Sequence, residues 1–196
     1  MSRQEHRMSD TVAKIRHTVA SISPFDERET QHQREVLEWI DSGFPIFRGA
    51  RFDDPPKHLV TYFVLFDADK NLLMLCDHVK SGLLLPTGGH VEIDEHPLTT
   101  VRREAMEELN ISAVVDQSIG TQPMFVSAAE TVGQLCHTDV SLWFVLQGRS
   151  TSPLNFDRRE MSGYRWLSPA EIISTPISML DPNMHRFVNK LCAVVG

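Results

Sequence analysis

Residues 89 to 111 read GHVEIDEHPLTTVRREAMEELNI, a turn glycine followed by a helix that carries its carboxylates in a tight group. The pattern is G-x5-E-x7-R-E-A-x-E-E-x-N-I, with Gly89, Glu95, Arg103, Glu104, Glu107 and Glu108 at its specified positions. Pro97 suits the first helical turn, where a missing N–H costs little. Leu98, Val101, Ala105 and Leu109 recur at helical spacing and form one apolar stripe. Glu104 and Glu108 stand one turn apart on a different face, and Glu107 flanks them. Together the three cover about a third of the helix circumference. Like charges at this spacing repel by roughly 0.2–0.5 kcal/mol per pair. A hard divalent cation removes that repulsion and suits phosphate chemistry. The chain therefore needs a fold that buries the stripe and leaves the carboxylates accessible.

Gly88 and Gly89 allow close approach of the backbone to a ligand, and a carbonyl of this loop is a candidate metal ligand. Glu95 lies near the helix start, where a carboxylate meets the positive end of the dipole. The spacing also lets Glu95 orient Arg103 through a charge-assisted hydrogen bond. Taken alone, R-E-A-M-E-E-L reads as a solvated helix face. The joint spacing of six specified residues favours a metal site.

This segment resembles the Nudix box, G-x5-E-x7-R-E-U-x-E-E-x-G-U, where U is a bulky apolar residue. It matches at Gly89, Glu95, Arg103, Glu104, Glu107, Glu108 and Ile111. Ala105 is smaller than usual, Asn110 stands where glycine is usual, and Asp94 replaces a frequent glycine. Asparagine is the next-best residue for a left-handed helix end, so the turn is expected to survive. The box covers about an eighth of the chain, and the flanking strands extend the resemblance to roughly residues 58 to 175.

The remaining chain limits the alternatives. With 196 residues it suits one domain and an extension better than two full domains. A net charge of −7 argues against a nucleic-acid polymer as partner, while a small phosphorylated ligand with its metal ions remains compatible. Cys76, Cys136 and Cys192 follow no metal-ligand spacing and read as free thiols. No apolar run reaches the length of a membrane span, and MSRQEHRMSD lacks a signal-peptide core. A cytoplasmic protein is expected.

Val12, Ile15, Val19 and Ile22 predict a helix over 9–22, capped by Ser9 or Asp10. A second helix is expected over 26–41, ended by Gly43, with a loop from Phe44 to Pro56. Residues 1–57 thus form an N-terminal helical extension, with packing or dimer contact its expected role. In residues 58–196, His58 to Phe66 is a buried strand, joined through a turn to a second strand at Leu72 to Cys76. Short apolar Leu83 to Pro86 leads into the glycine loop. Extended structure is expected over 112–115 and strands over 124–126, 140–146 and 164–167. Ser168 and Glu171 form a capping box, and Asp181-Pro-Asn opens a last helix with Phe187 and Leu191 inward. The residues predict an α/β domain with a mixed sheet flanked by helices. The resemblance implies the α/β/α Nudix sandwich.

The resemblance also implies hydrolysis of a pyrophosphate bond in a small nucleoside di- or triphosphate derivative. Glu104, Glu107 and Glu108 would hold Mg²⁺ or Mn²⁺ with help from the Gly89 carbonyl. Arg103, held by Glu95, would orient them. Glu104 and Glu160, the latter just before the last strand, are the candidate bases. Substrates divide between nucleoside triphosphates, oxidised ones included, and nucleoside diphosphates linked to another group. A homodimer is compatible with the family. The competing function is a catalytically silent nucleotide-binding module of the same fold. A purely structural protein leaves the carboxylates unexplained. His90, Lys80 and Arg165 are weighed as phosphate contacts against ordinary loop or surface roles. Trp143, Phe125 and Tyr62 are weighed as base-stacking groups against core packing. His137 and Asp139 are weighed as turn residues before a strand against a strand end that faces the cleft.

Overall fold

The computed structural model describes residues 3–49, 56–116, 119–131 and 137–196, with side chains from residue 10 onward. Cys136 and Pro55 lie outside the described residues. Two helices open the chain, α1 (Arg3–Ser21) and α2 (Glu27–Asp41). Helix α1 starts before Ser9 and Asp10, so neither caps it. Nothing in RQEHRM breaks a helix, and the helical backbone runs through to Arg3. Asp26 caps α2, accepting from the Glu29 N–H at 2.7 Å.

The sheet has seven strands: β1 (Lys57–Asp67), β2 (Leu72–His78), β3 (Leu84–Leu85), β4 (Thr87–His90), β5 (Phe125–Glu130), β6 (Thr138–Gln147) and β7 (Met161–Leu167). Its main path runs β3-β2-β1-β6-β5, with β4 beside β1 and β7 beside β2. Strands β1 and β6 are parallel, and the other named pairings are antiparallel. This is the expected mixed sheet. Asn71, in the left-handed region at φ 53°, closes the β1–β2 hairpin. Residues 112–115 form no strand; Val115 makes only an isolated bridge to Leu146. The expected strand at 124 begins at Phe125 and runs on to Glu130.

Period-2 alternation sorts the long apolar runs onto two faces. Leu59, Phe63 and Leu65 of β1 join Leu142 and Phe144 of β6 beneath α1, α2 and α3 (Pro97–Leu109). Val64, Phe66 and Trp143 turn to the other face, under α4 (Pro169–Ser174) and α5 (Met184–Val195). Helices thus cover both faces, which gives the α/β/α sandwich and explains why β1 and β6 read as nearly continuous apolar runs. The capping box of Ser168 and Glu171 is formed. Phe187 and Leu191 are buried on α5.

Helices α1 and α2 share the core of the first face through Ile15, Val19, Val36 and Ile40. A buried ion pair adds to this. Lys190 of α5 donates to Glu29 of α2 at 2.7 Å, with side-chain exposures of 7% and 0%. Glu29 also accepts from the backbone N–H groups of Phe25 (2.7 Å) and Val126 (3.2 Å). Lys190 donates to the Ser23 carbonyl at 2.7 Å. Buried charge is tolerable here because each group is both paired and hydrogen-bonded. No described helix is long and apolar enough to cross a membrane.

Candidate active site

Helix α3 packs its stripe inward: Val101, Ala105 and Leu109 are fully buried, and Leu98 lies against the same core. Pro97 occupies the first turn, and the helix ends at Asn110 in the left-handed region, φ 52°. The Asn110 N–H donates to Met106 O and the Ile111 N–H to Ala105 O, both at 3.1 Å. The expected left-handed turn is therefore present with asparagine in place of glycine. Asp94 also has positive φ, 65°, which accounts for the frequency of glycine at that box position.

Strand β4 brings the glycines against the carboxylate face. It pairs with β1 so that Gly88 lies opposite Tyr62 and Gly89 opposite Thr61. Gly88 has φ 150°, and a Cβ there would lie 2.0 Å from the Thr61 carbonyl oxygen. A Cβ on Gly89 would lie 2.1 Å from Glu104 Oε1. The Gly88 N–H donates to Glu108 Oε2 at 3.3 Å. Glu104 and Glu108 thus converge on the glycine strand, while Glu107 stays at the rim with 59% of its side chain exposed.

Arg103 organises this group with all its donors. Nε donates to Glu95 Oε1 and Nη2 to Glu95 Oε2, each at 3.1 Å. Nη2 also donates to the His90 carbonyl at 3.1 Å. Nη1 donates to Glu104 Oε1 at 2.7 Å and to Glu107 Oε2 at 3.3 Å. The Glu95–Arg103 pairing expected from spacing is formed. Glu95 is fixed further by the Thr100 hydroxyl (2.8 Å) and the Glu92 N–H (3.2 Å). Burial alone would raise the Glu95 carboxyl, but Arg103, then Thr100 and the Glu92 N–H, outweigh it and hold it below its ordinary value. Glu108 lies at the other extreme. Burial first, then Glu104, push its carboxyl up to about 8, against the pull of the Gly88 N–H. Burial raises Glu104 too, with Arg103 opposing.

Arg103, Glu104, Glu107 and Glu108 line a cleft of about 1130 Å³. Lys80, Glu160, Tyr62 and Asp181 line it too. Lys80 Nζ lies 3.1 Å from Glu160 Oε2, so a lysine weighed as a phosphate contact and one of the two candidate bases form a pair at the rim. Arg165 instead pairs with Asp77 at 2.7 Å and is absent from the cleft lining. Trp143 and Phe125 are fully buried, and Trp143 donates from Nε1 to Ser127 Oγ at 2.9 Å. Neither can stack on a base. Tyr62 is the aromatic that reaches the cleft among those weighed.

His90, His137 and Asp139 all line the cleft. They meet His58 in a group able to hold a metal ion, with one ligand atom from each residue and all four atoms within 4.8 Å of one another. The group assembles from the starts of β1 and β6 and the end of β4. No sequence spacing announces it, because its members come from three strands. The only local hint is His137-x-Asp139, whose period-2 spacing puts both side chains on one face.

The NUDIX domain family matches residues 56–191, more than two thirds of the chain. No curated protein matches it at significance. Among solved structures, the chain is similar to the MutT protein of Methanosarcina mazei Go1, with TM-score 0.55 and 18% identity over 70% of this chain and 94% of that one. It is similar to the dihydroneopterin triphosphate pyrophosphohydrolase of E. coli, with TM-score 0.55 and 15% identity over 78% and 100%. It is also similar to a NUDIX-family hydrolase of Clostridium perfringens, with TM-score 0.54 and 18% identity over 71% and 98%. At these identities the likeness is one of fold.

Proposed function

Because the chain belongs to the Nudix family, we propose that it hydrolyses a pyrophosphate bond in a small nucleoside di- or triphosphate derivative, using Mg²⁺ or Mn²⁺ held by Glu104, Glu107 and Glu108. As a Nudix pyrophosphohydrolase it is an enzyme of phosphoanhydride bonds. One observation carries the finer reading. Glu108 is a half-buried carboxylate raised by burial and by Glu104, and Glu104 one raised by burial and by Glu107 and Glu95, both beside a glycine strand with no side chain to fill the space. Oxygen donors in this state suit a hard divalent cation. When bound, such a cation neutralises phosphate charge and lowers the pKa of a water.

The chain's own groups do the rest. Arg103 fixes the Glu104 carboxylate and ties the helix to the His90 carbonyl. Glu95 holds Arg103 in that orientation. Gly89 leaves its backbone open to the same space, which supports its carbonyl as a further ligand. A base must accept the proton of the attacking water. Glu104 and Glu160 both line the cleft, the first paired with Arg103 and the second with Lys80, which supports either as the base and Lys80 as a phosphate contact.

The cleft is large enough for a nucleotide with a second group attached. Tyr62 supports contact with a base. The net negative charge opposes a nucleic-acid polymer as substrate. Residues 1–57 are read as a packing extension to a catalytic unit of residues 58–196, which leaves room for a homodimer. Free Cys76 and Cys192 fit a reducing compartment, hence the cytoplasm.

The test is phosphate release, after coupled phosphatase treatment, from a panel of nucleoside triphosphates and substituted diphosphates with and without Mg²⁺. Turnover of one class, dependent on Mg²⁺ and reduced about 100-fold or more in Glu108→Gln, is expected. A flat panel accompanied by tight nucleotide binding would favour the silent binding module instead. Full turnover in Glu108→Gln would defeat the mechanism.

A further inference from the structure

We infer that His58, His90, His137 and Asp139 form a second metal site, selective for a divalent transition ion such as Zn²⁺ and separate from the glutamate site on α3. The donor set is the first reason. Three imidazoles and one carboxylate suit zinc and its neighbours, whereas Mg²⁺ prefers oxygen donors and water.

The spacing is the second reason. His58 Nε2 lies 3.0 Å from His90 Nε2 and 3.2 Å from Asp139 Oδ1, and His137 Nε2 lies 3.3 Å from the same Oδ1. Ligands about 2.0–2.1 Å from a tetrahedral ion stand roughly 3.3–3.4 Å apart. The widest pair, within 4.8 Å, needs to close by no more than about 1.4 Å, within the reach of a side-chain adjustment.

The third reason is how the ligand atoms are held. Asp139 Oδ1 is buried and meets hydrogen-bond geometry with neither imidazole beside it. The Thr131 hydroxyl donates to the His137 carbonyl at 3.2 Å and lies 3.1 Å from His137 Nδ1. Thr131 thus holds the Nδ1 edge of the His137 ring, and Nε2 lies on the side of the buried Asp139 carboxylate oxygen. A metal-bound histidine whose other nitrogen donates to a fixed oxygen is the usual outer arrangement of such sites.

One contact opposes loading. Arg48 Nη1 lies 3.3 Å from His90 Nδ1, and an arginine only donates. Coordination through Nε2 places the ring proton on Nδ1, so Arg48 must turn aside. Four protein ligands close a tetrahedral site and make it structural. Here it would clamp the end of β4 to the starts of β1 and β6, immediately beside Gly89.

The test uses the full chain, stripped with a strong chelator and titrated with Co²⁺ in excess Mg²⁺. Expected are about one Co²⁺ per chain with the intense visible bands of a tetrahedral site, displaced by Zn²⁺, and a higher Tm on loading. Binding should persist in Glu104→Gln and Glu108→Gln and weaken at least ~100-fold in His137→Ala and Asp139→Asn. Bands that survive both cluster variants, or vanish with the glutamate variants, overturn the site, as does a wild-type chain that takes up no Co²⁺. Should His137→Ala fail to fold, the wild type decides alone: paramagnetically shifted imidazole N–H resonances from Co²⁺-bound histidines support the site, and their absence refutes it.

Discussion

The carboxylate of Glu104 occupies the space that a side chain at Gly89 would need, with Oε1 2.1 Å from the position of a Cβ. Gly88, next to it, faces backbone instead: its Cβ would strike the Thr61 carbonyl at 2.0 Å. Two adjacent glycines are thus required for different reasons, one by the site and one by the sheet.

These requirements separate experimentally. Gly89→Ala pushes aside the end of a flexible side chain, so stability should fall by no more than ~1–2 kcal/mol while kcat/KM falls ~100-fold or more. Gly88→Ala meets rigid backbone in a conformation that L-residues avoid, and should cost ~3 kcal/mol or more in urea denaturation. Equal losses of stability in the two variants would contradict the geometry.

Glu108 gives the metal-free protein a pH dependence. The folded chain keeps this proton up to about 8, whereas the unfolded chain releases it near 4.5. Between those values the folded state binds more protons, so stability falls as pH rises. Asp181, pushed up to about 6 first by burial, adds to the slope with the same sign. Thermal melts in chelator should show Tm falling from pH 5 toward about 8, with a shallower fall in Glu108→Gln. Added Mg²⁺ should raise Tm more at the alkaline end, where no proton has to be displaced. A slope unchanged by Glu108→Gln would remove the carboxyl from this account.

Lys190→Met leaves Glu29 as a buried carboxylate without its counter-charge. The loss should be ~3–5 kcal/mol by urea denaturation. The double variant Glu29→Gln/Lys190→Met should recover part of it, because no uncompensated charge remains. Strict additivity of the two single losses would show that the pair is not coupled.

Asp94 combines a positive φ with a buried Oδ1 that has no hydrogen-bond partner. Asp94→Gly removes both costs and should stabilise the chain by ~1 kcal/mol. A fall in Tm would mean that the carboxylate has a role the geometry does not reveal.

Local physics explains what could be read from the sequence. Helix α3 announced itself through Pro97, a four-residue stripe and Asn110, each a neighbour-range signal. The Glu95–Arg103 pairing also followed from spacing along one loop and helix. Groups assembled across the sheet were hidden. His58, His90 and His137 converge only because β1 pairs with both β4 and β6. Trp143 was ambiguous because alternation identifies two faces without saying which one borders the cleft. Nothing in the local sequence singles out Glu29, since its partner Lys190 is 161 residues away.

The Glu29 contact with Val126 has a consequence for solubility. Strand β5 ends the sheet path, and an end strand offers open amides to any other chain. Glu29 takes one of those amides, and α2 packs along the strand. Helix α2, braced by α1, therefore shields a sticky edge. Removing them to isolate the hydrolase portion would produce a template for strand-to-strand aggregation rather than a smaller enzyme.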